Sequence, residues 1–168
     1  MRHELVVIAE RLGVALKERE WHLATAESCT GGLVSMALCA CKDSGDFYSS
    51  GFVTYTNRAK QKVLSVRDET LDTYSAVSQE TVCEMALGAL TVAEEDVSLS
   101  ISGYAGPEGG VDGTPVGTVW FAWAILGNII EAKPKQFSGN DEDIIYQAAY
   151  YALERLILLV KNLPPSNV

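Results

Sequence analysis

Trp21-His-Leu-Ala-Thr-Ala-Glu-Ser-Cys-Thr-Gly-Gly-Leu-Val-Ser-Met-Ala-Leu-Cys-Ala-Cys41 changes character twice within a few residues. Trp21 to Ala26 is short and largely apolar and reads as a strand. Glu27 to Gly32 is polar, ends in two glycines and reads as a turn. Leu33 to Cys41 then suits a helix. A strand that feeds a helix through a tight turn is the opening of an α/β unit, and Ser28 falls in the connection where such folds present ligand groups.

The pattern repeats on both sides. Leu5, Ile8, Ala9, Leu12 and Leu16 form one stripe of an opening helix that stops in Lys17-Glu-Arg-Glu20. Gly51 to Thr56 reads as a second strand, followed by a helical stretch from Asn57 to Val63. Ser78 is a good N-cap for a helix whose buried face is Val82, Met85, Ala86, Ala89, Leu90 and Ala93. Val97 to Ser102 predicts a third strand. Two more, near 117–126 and 129–137, flank Gly127-Asn128, which suits a hairpin turn. A last helix begins after Gly139 or Asn140 and packs Ile145, Ala149, Ala152, Leu153, Leu156 and Val160 inward. The expected architecture is a three-layer α/β/α domain with a mixed, mostly parallel sheet, one domain over 1–163 and a polar tail over 164–168.

Composition narrows the function classes. The 168 residues are 48% apolar, enough for a sizeable core. No apolar run approaches the ~18 residues that span a bilayer, and the N-terminal residues carry no signal-peptide core, which predicts a cytoplasmic protein. A net charge of −9 argues against nucleic acid and anionic membrane surfaces as partners. Cys29, Cys39, Cys41 and Cys83 form no CxxC pair, and His3 and His22 are the two histidines, so no metal site is expected. The thiols read as reduced and mostly buried. Ile144, Ile157 and Leu158 fall off the main stripe of the last helix and predict a homo-oligomer.

A serine nucleophile needs a base. His22 lies on the preceding strand and reads as a partly exposed strand residue. Lys60 follows the strand that carries Tyr55, and a lysine serves as a base when burial lowers its pKa. Its alternative reading is a solvated surface lysine. Cys29 is a rival nucleophile, and Ser28 and Thr30 are also ordinary N-cap residues. Gly103 to Gly110 follows a strand end, and its glycines let backbone approach a ligand closely.

Four segments together resemble the C-terminal domain of the competence/damage-inducible protein CinA. They are Thr25-Ala-Glu-Ser-Cys-Thr-Gly-Gly32, Gly51-Phe-Val-Thr-Tyr-Thr-Asn-Arg-Ala-Lys60, Ser75-Ala-Val-Ser78 and Ser102-Gly-Tyr-Ala-Gly-Pro-Glu-Gly-Gly110. Pro115-Val-Gly-Thr-Val-Trp120 and Phe137-Ser-Gly139 extend the match over nearly the whole chain. Stand-alone members of this family are nicotinamide-nucleotide amidases. The resemblance implies hydrolysis of the carboxamide of nicotinamide mononucleotide, or of a related pyridine amide, with no cofactor. It makes Ser28 the nucleophile and Lys60 its base, with Tyr55 beside them. Glu27, Thr30, Gly31, Gly32, Ser102, Gly103 and Gly106 would contact substrate or oxyanion. One departure stands out: arginines typical of the family after Phe-x-Gly are replaced by Asp141 and Ile145, beside Asn140-Asp-Glu-Asp143. Two readings therefore remain, an active serine amidohydrolase and a catalytically silent paralogue that binds a nucleotide-like ligand or a protein partner.

Overall fold

A computed structural model describes residues 2–164. Five strands form one sheet in the order β2-β1-β3-β4-β5. They are β1 (Leu23–Glu27), β2 (Tyr48–Val53), β3 (Val97–Gly103), β4 (Thr118–Ile125) and β5 (Asn128–Gln136). β1 pairs in parallel with both β2 and β3, whereas β4 is antiparallel to β3 and to β5, so β4 alone runs against the other strands. The sheet is mixed, as the alternation of elements suggested.

Helices α1 (His3–Lys17), α2 (Leu33–Cys39) and α6 (Asp141–Asn162) cover one face. α3 (Asn57–Leu64), α4 (Asp68–Tyr74) and α5 (Gln79–Ala93) cover the other. The first face holds the larger apolar core, in which Leu23, Val97, Leu99, Ile101, Phe121 and Trp123 meet Leu5, Leu12, Leu16, Ala149, Leu153 and Leu156. Alternation along β3 divides the two layers. Its odd-numbered residues enter this core, while Ser98, Ser100 and Ser102 turn to the opposite face. There their hydroxyls donate to the carbonyls of Ala86, Val82 and Ala76 at 2.7, 2.6 and 2.7 Å. A strand of small hydroxyl residues thus draws α5, and the loop before it, close to the sheet without leaving buried polar groups unpaired.

α5 packs as closely on α3. A Cβ built on Gly88 would lie 2.0 Å from the Leu64 carbonyl oxygen, so only glycine fits there. The C-terminal end of α3 is therefore seated on α5. At the other side of the molecule Arg19 donates to the carbonyls of Val160, Leu163 and Pro164 at 2.9, 2.6 and 2.7 Å, closing the end of α6.

Several sequence expectations shift. β2 occupies Tyr48–Val53 rather than 51–56, and α4 was not anticipated. The hairpin turn is Leu126-Gly127, both at positive φ (50° and 82°), with Asn128 already paired to Ile125. On α6 the inward residue is Ile144, while Ile145 is only half-buried. Ile157 is also buried, so of the three residues behind the oligomer expectation only Leu158 is exposed. Among the cysteines only Cys41 is fully buried, and Cys39 is exposed. No described helix is long and apolar enough to cross a membrane. Apart from Pro164, the predicted polar tail lies outside the described residues.

Candidate active site

β1 is flanked on both sides by parallel partners and is buried along its whole length. Its carboxyl end delivers Ser28 into a cavity of about 400 Å³. Ser28, Cys29, Tyr55, Lys60, Ser102, Gly103 and Gly106 line it, together with Ala76, Val77, Tyr104, Ala105, Glu108, Asp141 and Ile145. Connections after β1, β2 and β3 thus converge at one end of the sheet, where a parallel arrangement leaves a crevice.

Lys60 lies in the first turn of α3, whose N-cap is Thr56, with its side chain accepting from the Ala59 amide at 3.1 Å. Lys60 is 1% exposed, although its ammonium belongs to the costliest groups to bury. Its Nζ donates to Ser28 Oγ at 2.9 Å, to the Thr54 carbonyl at 2.8 Å and, at 3.5 Å, to the Tyr55 carbonyl. Among the described residues no carboxylate pairs with it. Loss of hydration lowers its pKa from 10.5 to about 8, opposed only weakly by the neighbouring Cys29. Roughly a tenth of the amine is then neutral at pH 7. The solvated-lysine reading is excluded by this burial.

Cys29, beside Ser28, is driven the other way. Burial raises its thiol to about 12, against partial relief from the Cys29 and Thr30 backbone amides. It is a protonated thiol near neutral pH and a poor nucleophile.

Glu27 has a different task from the substrate contact expected of it. Its Oε2 accepts from Thr30 Oγ1 (2.7 Å), the Gly32 amide (3.1 Å) and the Val34 amide (3.1 Å). Its Oε1 accepts from the amide and hydroxyl of Ser35 at 2.8 and 2.6 Å. Glu27 is completely buried, so the N-terminus of α2 is filled by a carboxyl group of the chain itself. Thr30, Gly31 and Gly32 do not line the cavity, and the Gly31 amide is bound to the Ser28 carbonyl at 3.0 Å. The glycines serve the turn instead: Gly31 and Gly32 both have positive φ. Cys29 and Thr30 keep the turn's amides without an oxygen acceptor among the described residues.

Ser102, expected at the site, donates its hydroxyl to the Ala76 carbonyl at 2.7 Å and thereby holds the Ala76-Val77 wall of the cavity. Tyr55 offers its carbonyl to Lys60, while its side chain is 71% exposed. His22 is remote, at the opposite end of β1, where the Asp96 carboxylate accepts from its amide at 3.0 Å. His22, Glu95 and Asp96 bring ligand-capable atoms within 4.8 Å of one another there. Tyr104, Glu108 and Val77 were not singled out from sequence, although each sits within a quoted motif.

Residues 6–160 match the CinA C-terminal domain. The chain belongs to the CinA C-terminal domain family. Within it, protein YdeJ of Escherichia coli K12 is 50% identical over 155 residues, 90% of each chain. The nicotinamide-nucleotide amidohydrolase PncC of the same strain is 46% identical over 153 residues, covering 91% of this chain and 93% of that one. A solved CinA superfamily protein from Klebsiella pneumoniae superposes with a TM-score of 0.93 at 48% identity, covering 95% of this chain and 99% of that one. The CinA fold is therefore shared in full.

Proposed function

We propose that the chain is a serine amidohydrolase that cleaves the carboxamide of a nicotinamide nucleotide or a related pyridinium amide. The contact between Lys60 Nζ and Ser28 Oγ, 2.9 Å in a desolvated setting, carries this reading. The PncC name of a relative 46% identical supports the substrate family.

In the proposed course neutral Lys60 takes the Ser28 hydroxyl proton as Oγ attacks the amide carbon. The tetrahedral oxyanion accepts from the Cys29 amide, whose residue lines the cavity beside Ser28. Lys60 then passes its proton to the departing nitrogen, the C–N bond breaks and ammonia leaves an acyl ester on Ser28. Water attacks that ester, gives a proton to Lys60 and frees the carboxylic acid, and the lysine returns the proton to Ser28. No net proton stays on the protein.

Ammonia release from nicotinamide mononucleotide, nicotinamide riboside and simple aromatic amides tests the reading, with Ser28→Ala as control. Turnover that survives Ser28→Ala rejects it. A ligand-binding protein without turnover is the second reading, favoured by Asp141 and Ile145 in the cavity wall. Saturable ligand binding with no ammonia from any of these amides would establish it.

A further inference from the structure

The cavity is short of anion-binding groups. Among the described residues Lys60 is the single cationic side chain that lines it, and its Nζ is already committed to Ser28 Oγ and the Thr54 carbonyl. Glu108 and Asp141 line it as well, and Ile145 is apolar.

Two of the helix N-termini beside this wall, those of α2 and α6, offer little substitute from the backbone. α2 begins on Glu27, whose carboxyl group takes the Gly32, Val34 and Ser35 amides. α6 begins at Asp141, and three amides of its first turn are taken within the chain. Glu142 donates its amide to Asp141 Oδ1 at 3.0 Å, Asp143 donates to Asn140 Oδ1 at 2.9 Å and Ile144 donates to the Asn140 carbonyl at 3.0 Å. Asp141, Glu142 and Asp143 place three acidic side chains on the positive end of that helix. A helix N-terminus holds a phosphate through free amides and an uncompensated dipole, whereas at these two helices most amides are taken and carboxyl groups already occupy the positive end.

We propose that this cavity selects a cationic pyridinium carboxamide that carries no phosphate, a nucleoside in preference to a nucleotide. The proposal rests on the Ser28–Lys60 site assigned above and specifies its substrate class. The pyridinium nitrogen is positive whatever the pH, and Glu108 and Asp141 attract it. A phosphate dianion on the same ligand meets those two carboxylates with no compensating cation. Even between exposed charges such repulsion is enough to decide between two ligands that differ in one charged group.

The test compares nicotinamide riboside with nicotinamide mononucleotide in two assays. One measures kcat/KM for ammonia release by the wild-type protein. The other measures binding to the Ser28→Ala variant by titration calorimetry, which needs no turnover. We expect the riboside to be favoured about tenfold in both, with the preference shrinking as salt rises. Glu108→Gln with Asp141→Asn should erase most of it, and Asp141→Arg with Ile145→Arg should turn it toward the mononucleotide. Tighter binding of the mononucleotide by the unsubstituted cavity, or binding of neither ligand, overturns the proposal. Charge-dependent riboside binding without ammonia release would sustain it while removing the amidohydrolase reading.

Discussion

Lys60 Nζ lies 2.9 Å from Ser28 Oγ although 32 residues separate them in the chain. The approach is possible because each follows a strand and the two strands, β1 and β2, are parallel neighbours. With its pKa lowered to about 8 by burial, the amine is mostly charged at pH 7 and must lose a proton before it can act as a base. Activity should rise with pH, with kcat/KM climbing about tenfold per pH unit below 8 and levelling off above it. Lys60→Arg, a permanent cation, should abolish the rise along with the activity. A pH-rate profile that is flat from 6 to 9 would remove Lys60 from the base role.

The same burial makes Lys60 costly to the fold. Below its folded pKa of about 8 the lysine is charged in both states, and the whole desolvation penalty falls on the native one. Lys60→Met should raise stability by roughly 1–3 kcal/mol in urea unfolding at pH 7 while eliminating turnover. The gain should be full below pH 8 and shrink between about 8 and 10.5, where the lysine is neutral in the folded state but still charged in the unfolded one. Equal or lower stability of the variant would mean that its three hydrogen bonds outweigh the desolvation.

Ser28 and Cys29 are adjacent, and their environments separate their roles. A thiol raised to about 12 contributes almost no thiolate at neutral pH. Ser28→Ala should remove activity, whereas Cys29→Ala should retain most of it, as measured by ammonia release. The opposite ranking would transfer the nucleophile to Cys29.

Glu27 accepts five hydrogen bonds within one turn and the start of α2. In Glu27→Gln an NH2 group must face donors that now meet an acceptor. We expect a loss of about 2–4 kcal/mol in unfolding free energy, since several buried groups lose their partner at once. Glu27→Asp, too short to reach both Gly32 and Ser35, should recover little. A stable Glu27→Gln protein would show that the turn is held by the glycines alone.

Gly88 does not line the cavity, yet the C-terminal end of the helix that carries Lys60 rests on it. Gly88→Ala would set a methyl group 2.0 Å from the Leu64 carbonyl oxygen, and backbone on both sides must move. Stability should fall by about 1–3 kcal/mol. In whatever fraction stays folded, kcat should fall further than KM rises, because the displaced element carries the proposed base. Unchanged kcat would show that α3 shifts without moving Lys60.

The sequence showed which elements exist more clearly than where they point. Strand, turn and helix around Ser28 were legible from composition, because the change from apolar to polar to amphipathic is abrupt there. β2 was misplaced by three residues because it is an edge strand, half-exposed, that opens on Tyr48-Ser-Ser-Gly51, where small and polar residues carry little strand signal in the sequence. α4 has few apolar residues of its own and buries only Thr70 and Leu71, so periodicity hardly registers it. The hairpin turn moved by one residue because Leu126 accepts a positive φ that sequence statistics reserve for glycine or asparagine. Ile144 and Ile145 are chemically alike, and only the exact phase of α6 decides which meets the core. At the site, the family resemblance paired Ser28 with Lys60, and the two side chains do meet. The role of Glu27 was not legible, since a carboxyl group after a strand can face a ligand or its own helix, and the direction is set by three-dimensional geometry alone.

The Glu27 carboxyl group at the head of α2 implies that the resting protein is already in its working shape. Turns of this kind often wait for an incoming anion before they settle, and the visitor's affinity is then diluted by the chain it has to order. Here the guest's place at that helix is taken permanently by the host. Association should consequently resemble the meeting of two rigid bodies, with a heat-capacity change no larger than the ligand's own buried surface accounts for.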